Sequence, residues 1–130
     1  MKVVFDTDPG IDDAMALLYL NACDNLDLLA VTTIVGNASI DQCTLNALCL
    51  CEQWGIDVPV YKGEGRGIDG SQPGEVPDCV HGKNGIGEVI LGAPRISEES
   101  LDAYDNQVNT ATKNPDSNNN VALRRLNKLA

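Results

Sequence analysis

The apolar positions of this chain change period several times before residue 62. Residues 2–7, KVVFDT, form a short β-branched and aromatic run that stops at Asp8-Pro9-Gly10, the pattern of a buried strand ending in a turn. Over 11–22 the spacing becomes helical, with Ile11, Ala14, Met15, Leu18 and Ala22 recurring as one face of a helix. Asp24-Asn25 marks a turn, and LDLLAVTTIV (26–35) reads as a second buried strand. Ser39 and Gln42 have capping-box spacing, and they open a helix predicted over 40–54 with Gly55 suited to its C′ position. VPVY (58–61) reads as a third short strand, which Pro59 assigns to a sheet edge.

Strands alternating with helices through short turns predict an α/β fold, a parallel Rossmann-like sheet with a βαβαβ start. Ligands of such sheets bind outside the carboxyl ends of the strands. Three polar segments fall there: the Asp cluster after the first strand, Val35-Gly36-Asn37 after the second, and Lys62 to Gly65 after the third. Residues 63–88 are rich in Gly, Pro and Asp, have no period, and end in HGKNGIG, which holds the only histidine. A connection of this length is a functional loop or a disordered one. The pattern divides the chain into 1–100, with the α/β character, and a polar, Asn-rich tail at 101–130. In that tail 108–120 reads as irregular, and VALRRLNKLA (121–130) reads as a short helix with Leu123 and Leu126 on one side.

The chain has 130 residues, 43% of them hydrophobic, which is enough for one domain with a real core. Nine Lys and Arg stand against 19 Asp and Glu, a net charge of −10. That excess argues against nucleic acid or an anionic membrane as partner, because both require basic patches. It suits a metal cation or a neutral small molecule, and it also suits mere solubility. The five cysteines include no CxxC pair, so free thiols in a reducing compartment are expected and a zinc site is not. No segment has the length of a signal-peptide core or a membrane span, and a cytoplasmic protein is expected.

The chemistry concentrates in Asp6, Asp8, Asp12 and Asp13. A turn with a favourable helix dipole accounts for one or two acidic residues there, not for four beside a buried strand. An EF-hand loop is excluded, because the sixth position counted from Asp6 is Ile11 rather than glycine. VVFDTD resembles the Asp-x-Asp strand end of haloacid-dehalogenase-type phosphotransferases, but PGIDD departs from that family's continuation. A divalent-cation site remains, with Asp8 before the turn and Asp12 and Asp13 on the first helical turn. Hard oxygen ligands suit Ca²⁺ or Mg²⁺.

DTDPGIDDAMAL (6–17) closely resembles the N-terminal signature of the nucleoside hydrolases, the inosine–uridine-preferring ribohydrolase family. VTTIVGN (31–37), TLNAL (44–48) and HGKNGIG (81–87) resemble later blocks of the same family, in order and at matching spacing over roughly 1–90. The resemblance implies hydrolysis of the N-glycosidic bond of purine and pyrimidine ribonucleosides, a step of nucleoside catabolism, with a Ca²⁺ in the pocket. It implies that Asp8 ligates the metal and deprotonates the attacking water, and that Asp13 is a second metal ligand. Asp12 and Asn37 match positions that hold the ribose, His81 one near the base, and Asp6 a supporting acidic position. On the residues alone, Asn37 reads as a turn residue or helix lead-in, and His81, a lone histidine in a loop, reads more readily as a surface residue than as a ligand contact. Family members commonly associate, so a homo-oligomer fits the resemblance. They are also more than twice this long, so the chain resembles a truncated member holding half of a site. Three outcomes follow: a Ca²⁺-dependent ribohydrolase, a catalytically inactive homologue, and, further off, a phosphatase.

Overall fold

A computed structural model of the chain describes residues 1–67, 69–71, 74 and 78–99, with the backbone of 121–123. Strand β1 (Lys2–Thr7) leads into α1 (Ile11–Ala22), β2 (Asp27–Thr33), α2 (Ile40–Trp54), β3 (Val60–Tyr61), a one-turn helix α3 (Asp78–His81) and β4 (Val121–Leu123). The strands form one parallel sheet in the order β3-β2-β1-β4. β1 lies inside it, and its Val3 to Thr7 are all buried, as expected of a parallel strand covered on both faces. Pro59 immediately precedes the outermost strand β3, a place at the start of an edge strand where proline is tolerated, and its carbonyl accepts from Val31 N–H at 3.0 Å.

The β1–β2 register slips once. Val3 pairs with Leu28 but Val4 pairs with Ala30, so Leu29 is an extra residue, and Asp6 and Thr7 come opposite Thr32 and Thr33. Beyond β2 the Ile34 N–H still reaches Thr7 O at 3.0 Å, and then the chain turns away. β2 therefore ends at Thr33, two residues before the run of apolar sequence does.

Both long helices keep their predicted bounds. Ser39 Oγ accepts from Gln42 N–H at 3.3 Å at the start of α2. Gly55 ends α2 in the left-handed region at φ 64, which frees its N–H and that of Ile56 to satisfy the carbonyls of Glu52 and Cys51. The core joins Val3, Phe5, Leu17, Leu20, Val31, Leu48 and Val60, with Trp54 packed against it.

Two expectations need correction. The face of α1 marked by Ile11, Met15 and Leu18 is the exposed one; Met15 is 71% exposed, whereas Leu17 and Leu20 are buried. AMALLYL is apolar around most of the helix, so its period admits two faces, and the sheet takes the one carrying Leu17 and Leu20. The second correction is at 121–123, where a helix was expected and the chain forms β4, paired to Val3, Val4 and Phe5. Pairing to β1 is a long-range contact that local helical spacing does not register. The irregular segment expected at 108–120 and the remainder of that helix, 124–130, lie outside the described residues.

Candidate active site

Because β1 and β2 are parallel, the turns that follow them leave from the same edge of the sheet. The first, Asp8-Pro9-Gly10, is buried, and Asp8 is 1% exposed. The second brings in Gly36 and Asn37. Asn37 N–H donates to Asp8 Oδ2 at 2.9 Å, and Asn37 Nδ2 donates to Asp8 O at 2.8 Å and to Asp13 Oδ2 at 3.3 Å. One asparagine thus ties together both carboxylate-bearing segments.

Asp13 sits in the first turn of α1. Its Oδ1 accepts from Thr7 Oγ1 at 2.9 Å, and its Oδ2 also accepts from Gly10 N–H at 3.0 Å, closing the helix start in the manner of a capping box. Burial raises the Asp13 pKa above its ordinary 3.8. The bonds from Gly10 and Thr7 oppose that shift, and the charges of Asp8 and then Asp12 add to it. Asp12 itself is exposed.

Two glycines make room for this arrangement. A Cβ on Gly36 would collide with Asp8 Oδ2 and would lie 2.5 Å from Asp8 Cγ. A Cβ on Gly10 would collide with Asn37 Nδ2 and lie 3.1 Å from Nδ1 and Cε1 of His81. Close approach, rather than backbone conformation, explains glycine at both places, since neither has a positive φ. His81 reaches the site from α3, and its Nδ1 accepts from Ile11 N–H at 3.5 Å.

Asp8, Asp13, Asn37 and His81 therefore converge, with Asp12 on the rim. Asp6 does not join them. It lies within the sheet, where its Oδ1 accepts from Thr32 Oγ1 at 2.6 Å, and both residues are buried. The third strand-end segment packs along α2 instead, with Lys62 Nζ 2.6 Å from Asp41 Oδ1. Sequence reasoning gave Thr7 only a place in the first strand and Gly36 only a place in the segment after the second, with no role for either. It noted Asn46 only within TLNAL, although an amide amid the apolar residues of α2 is itself a sign of a satisfied buried polar group.

Among the described residues no group of three or more His, Cys, Asp or Glu side chains is arranged to hold a metal. The donor chemistry of Asp8 and Asp13 nevertheless fits one side of a hard-cation cage. They are two carboxylates joined through one asparagine, close enough for the charge of Asp8 to raise the Asp13 pKa. All five cysteines are free thiols, and Cys43, Cys49 and Cys51 are buried. No described helix is long and apolar enough to cross a membrane.

These features define an α/β protein with an acidic, asparagine-bridged site at the carboxyl ends of a parallel sheet. Residues 3–129 match the family model for inosine-uridine preferring nucleoside hydrolase, well past the blocks quoted above, and the chain belongs to that family. It is 39% identical to uridine nucleosidase 1 of Arabidopsis thaliana, covering 99% of this chain and 41% of the relative. A plant nucleoside hydrolase structure superposes with a TM-score of 0.82 at 36% identity, covering 86% of this chain and 36% of that one. The purine-preferring ribonucleoside hydrolase from Gardnerella vaginalis gives a TM-score of 0.83 at 29% identity, over 88% of this chain and 37% of its own. The chain thus spans about two fifths of the length of these relatives. Family membership sets the phosphotransferase reading aside.

Proposed function

We propose that this chain supplies the water-activating and ribose-holding side of a ribonucleoside hydrolase site, with Asp8 as general base. The observation that carries the reading is the Asp8–Asn37–Asp13 arrangement at the strand ends, with Asp8 and Asn37 buried and Asp13 half-buried. Asp8 takes a proton from water as the water oxygen bonds to C1′ of the ribose. The C1′–N bond breaks, and its electron pair leaves with the base. The ribose passes through an oxocarbenium-like state, which the neighbouring carboxylates stabilise by charge. Asn37 N–H and Nδ2 hold Asp8 and Asp13 in place. Asp12, on the rim, meets the ribose hydroxyls together with Asn37, and His81 faces the base. Asp8 and Asp13 are the residues that would hold Ca²⁺, which when bound orients ribose hydroxyls and lowers the pKa of the attacking water. The names of the relatives make uridine and purine nucleosides the substrates to try. A cytoplasmic location and a homo-oligomeric state belong to the same reading.

The test is ribose released from inosine and from uridine by the purified chain with Ca²⁺. Release that Asp8→Asn abolishes supports the proposal. No release, together with no heat of Ca²⁺ binding in calorimetry, refutes it for this chain and leaves the inactive-homologue reading.

A further inference from the structure

Asn46 is 2% exposed in the middle of α2 and touches neither Asp8 nor Asp13 by any hydrogen bond described above, yet it links the two segments that shape their surroundings. Its Nδ2 donates to Pro9 O at 3.4 Å and to Asn84 O at 2.8 Å. Its Oδ1 accepts from Gln42 Nε2 at 2.8 Å, in the same amide orientation that the two carbonyl acceptors of Nδ2 already require. The first partner belongs to the turn that carries Asp8. The second belongs to the loop that follows His81.

That loop is a unit folded on itself. Asn84 Oδ1 accepts from Ile86 N–H at 3.1 Å and from Glu88 N–H at 2.9 Å, and Asn84 Nδ2 donates to Val89 O at 3.0 Å. Gly87 N–H returns to His81 O at 2.6 Å. A unit of this kind moves as one body, so what fixes Asn84 also places His81. The site-side hydrogen bond to His81, from Ile11 N–H, is long at 3.5 Å. Gly85, at φ 79, lets the loop approach closely: a Cβ there would lie 3.2 Å from Ala38 Cβ and 3.4 Å from Asn46 Nδ2.

We propose that Asn46 is a positioning residue that docks the His81 loop onto the Asp8 turn and so sets where His81 stands over the carboxylates. The significance of that placement rests on the hydrolase reading, but the docking itself does not. An amide is required, because both targets are carbonyl oxygens and need a donor. The N46D substitution is isosteric but would turn a carboxylate oxygen towards them.

His81 is the only histidine, so its imidazole resonance in a labelled full-length chain is unambiguous. In N46D, the amides of 82–88 are expected to exchange about tenfold faster or more, and the His81 signal to move towards that of free histidine, while β1 and β2 amides stay protected. N46S, which keeps one donor, falls between N46D and the native chain. Q42L, which removes only the partner of Oδ1, leaves the His81 signal near its native position. A folded N46D with native loop exchange and a native His81 signal overturns the proposal. Loss of β1 and β2 protection in both N46D and N46S also overturns it, because Asn46 is then a residue of the core. None of these readouts needs turnover, so a chain that neither releases ribose nor binds Ca²⁺ defeats the hydrolase reading and leaves this one to be judged by its resonances.

Discussion

Gly36→Ala adds one methyl group at the most crowded point of the site. Gly36 is outside the left-handed region, so the cost is steric rather than conformational. The new Cβ would meet Asp8 Oδ2, with Cγ at 2.5 Å and Cβ at 2.8 Å. Asp8 has little freedom to withdraw: it is buried, its Oδ2 accepts from Asn37 N–H, and its carbonyl accepts from Asn37 Nδ2. Overpacking of this kind costs about 2 kcal/mol. Displacing the carboxylate from Asn37 N–H, a hydrogen bond to a charged group, costs about 2 kcal/mol more. With a urea m value of about 1.5 kcal/mol/M, the sum of about 4 kcal/mol lowers the unfolding midpoint by roughly 2–3 M. Trp54, the only tryptophan and packed against the core, reports the transition by fluorescence. Gly92→Ala is the control, since nothing lies within 4 Å of a Cβ there. A Gly36→Ala midpoint equal to that of Gly92→Ala would show that Asp8 is not pinned as described, and the account of the site would fall with it.

Thr32→Val removes the hydroxyl that Asp6 accepts from, in a buried setting, and is expected to cost about 2 kcal/mol in urea unfolding; an unchanged midpoint contradicts that. Burial pushes the Cys43 and Cys51 thiols up to about 11, so at neutral pH iodoacetamide should label Cys79 in the folded chain and reach Cys43 and Cys51 only after denaturation, as peptide mass mapping will show. Asp13 has its folded pKa above the ordinary 3.8, so the folded state holds this proton more tightly than the unfolded chain. The stabilisation from that proton is complete below the unfolded value and is lost as pH rises through the folded one. The stability of the native chain relative to Asp13→Ala should therefore fall as pH rises from below the ordinary 3.8 through the raised folded value, and a difference that grows with pH contradicts the shift.

Much of this was legible because it is local. The β-branched run of β1, the Ser39 cap and the Gly55 terminus are written in adjacent residues, and the bounds of β1, α1 and α2 follow from them. The convergence of Asp8 and Asn37 was legible from the parallel βαβ order, which sends both turns to one edge. What escaped depends on distant partners. The buried face of α1 is chosen by the sheet, not by the helix, whose apolar residues nearly encircle it. β4 exists through its pairing with β1. The partner of Asp6 is Thr32, 26 positions away, brought opposite by a register that periodicity cannot supply. Asn46 was hidden because its amide looks inward, to two carbonyls 37 and 38 positions distant.

The extra residue in β2 works as a slip joint. Upstream of it Asp27 pairs with Lys2, and downstream Thr32 pairs with Asp6, with Leu29 taking up the mismatch between the two halves. In an unbroken ladder a one-residue slip would carry every later side chain to the other face. Here removing Leu29 would simply regularise the ladder and keep Asp6 opposite Thr32. Removing Val31 would draw Thr33 opposite Asp6 and shift the turn that bears Asn37. β2 thus carries one expendable position, upstream of the site, and none beside it.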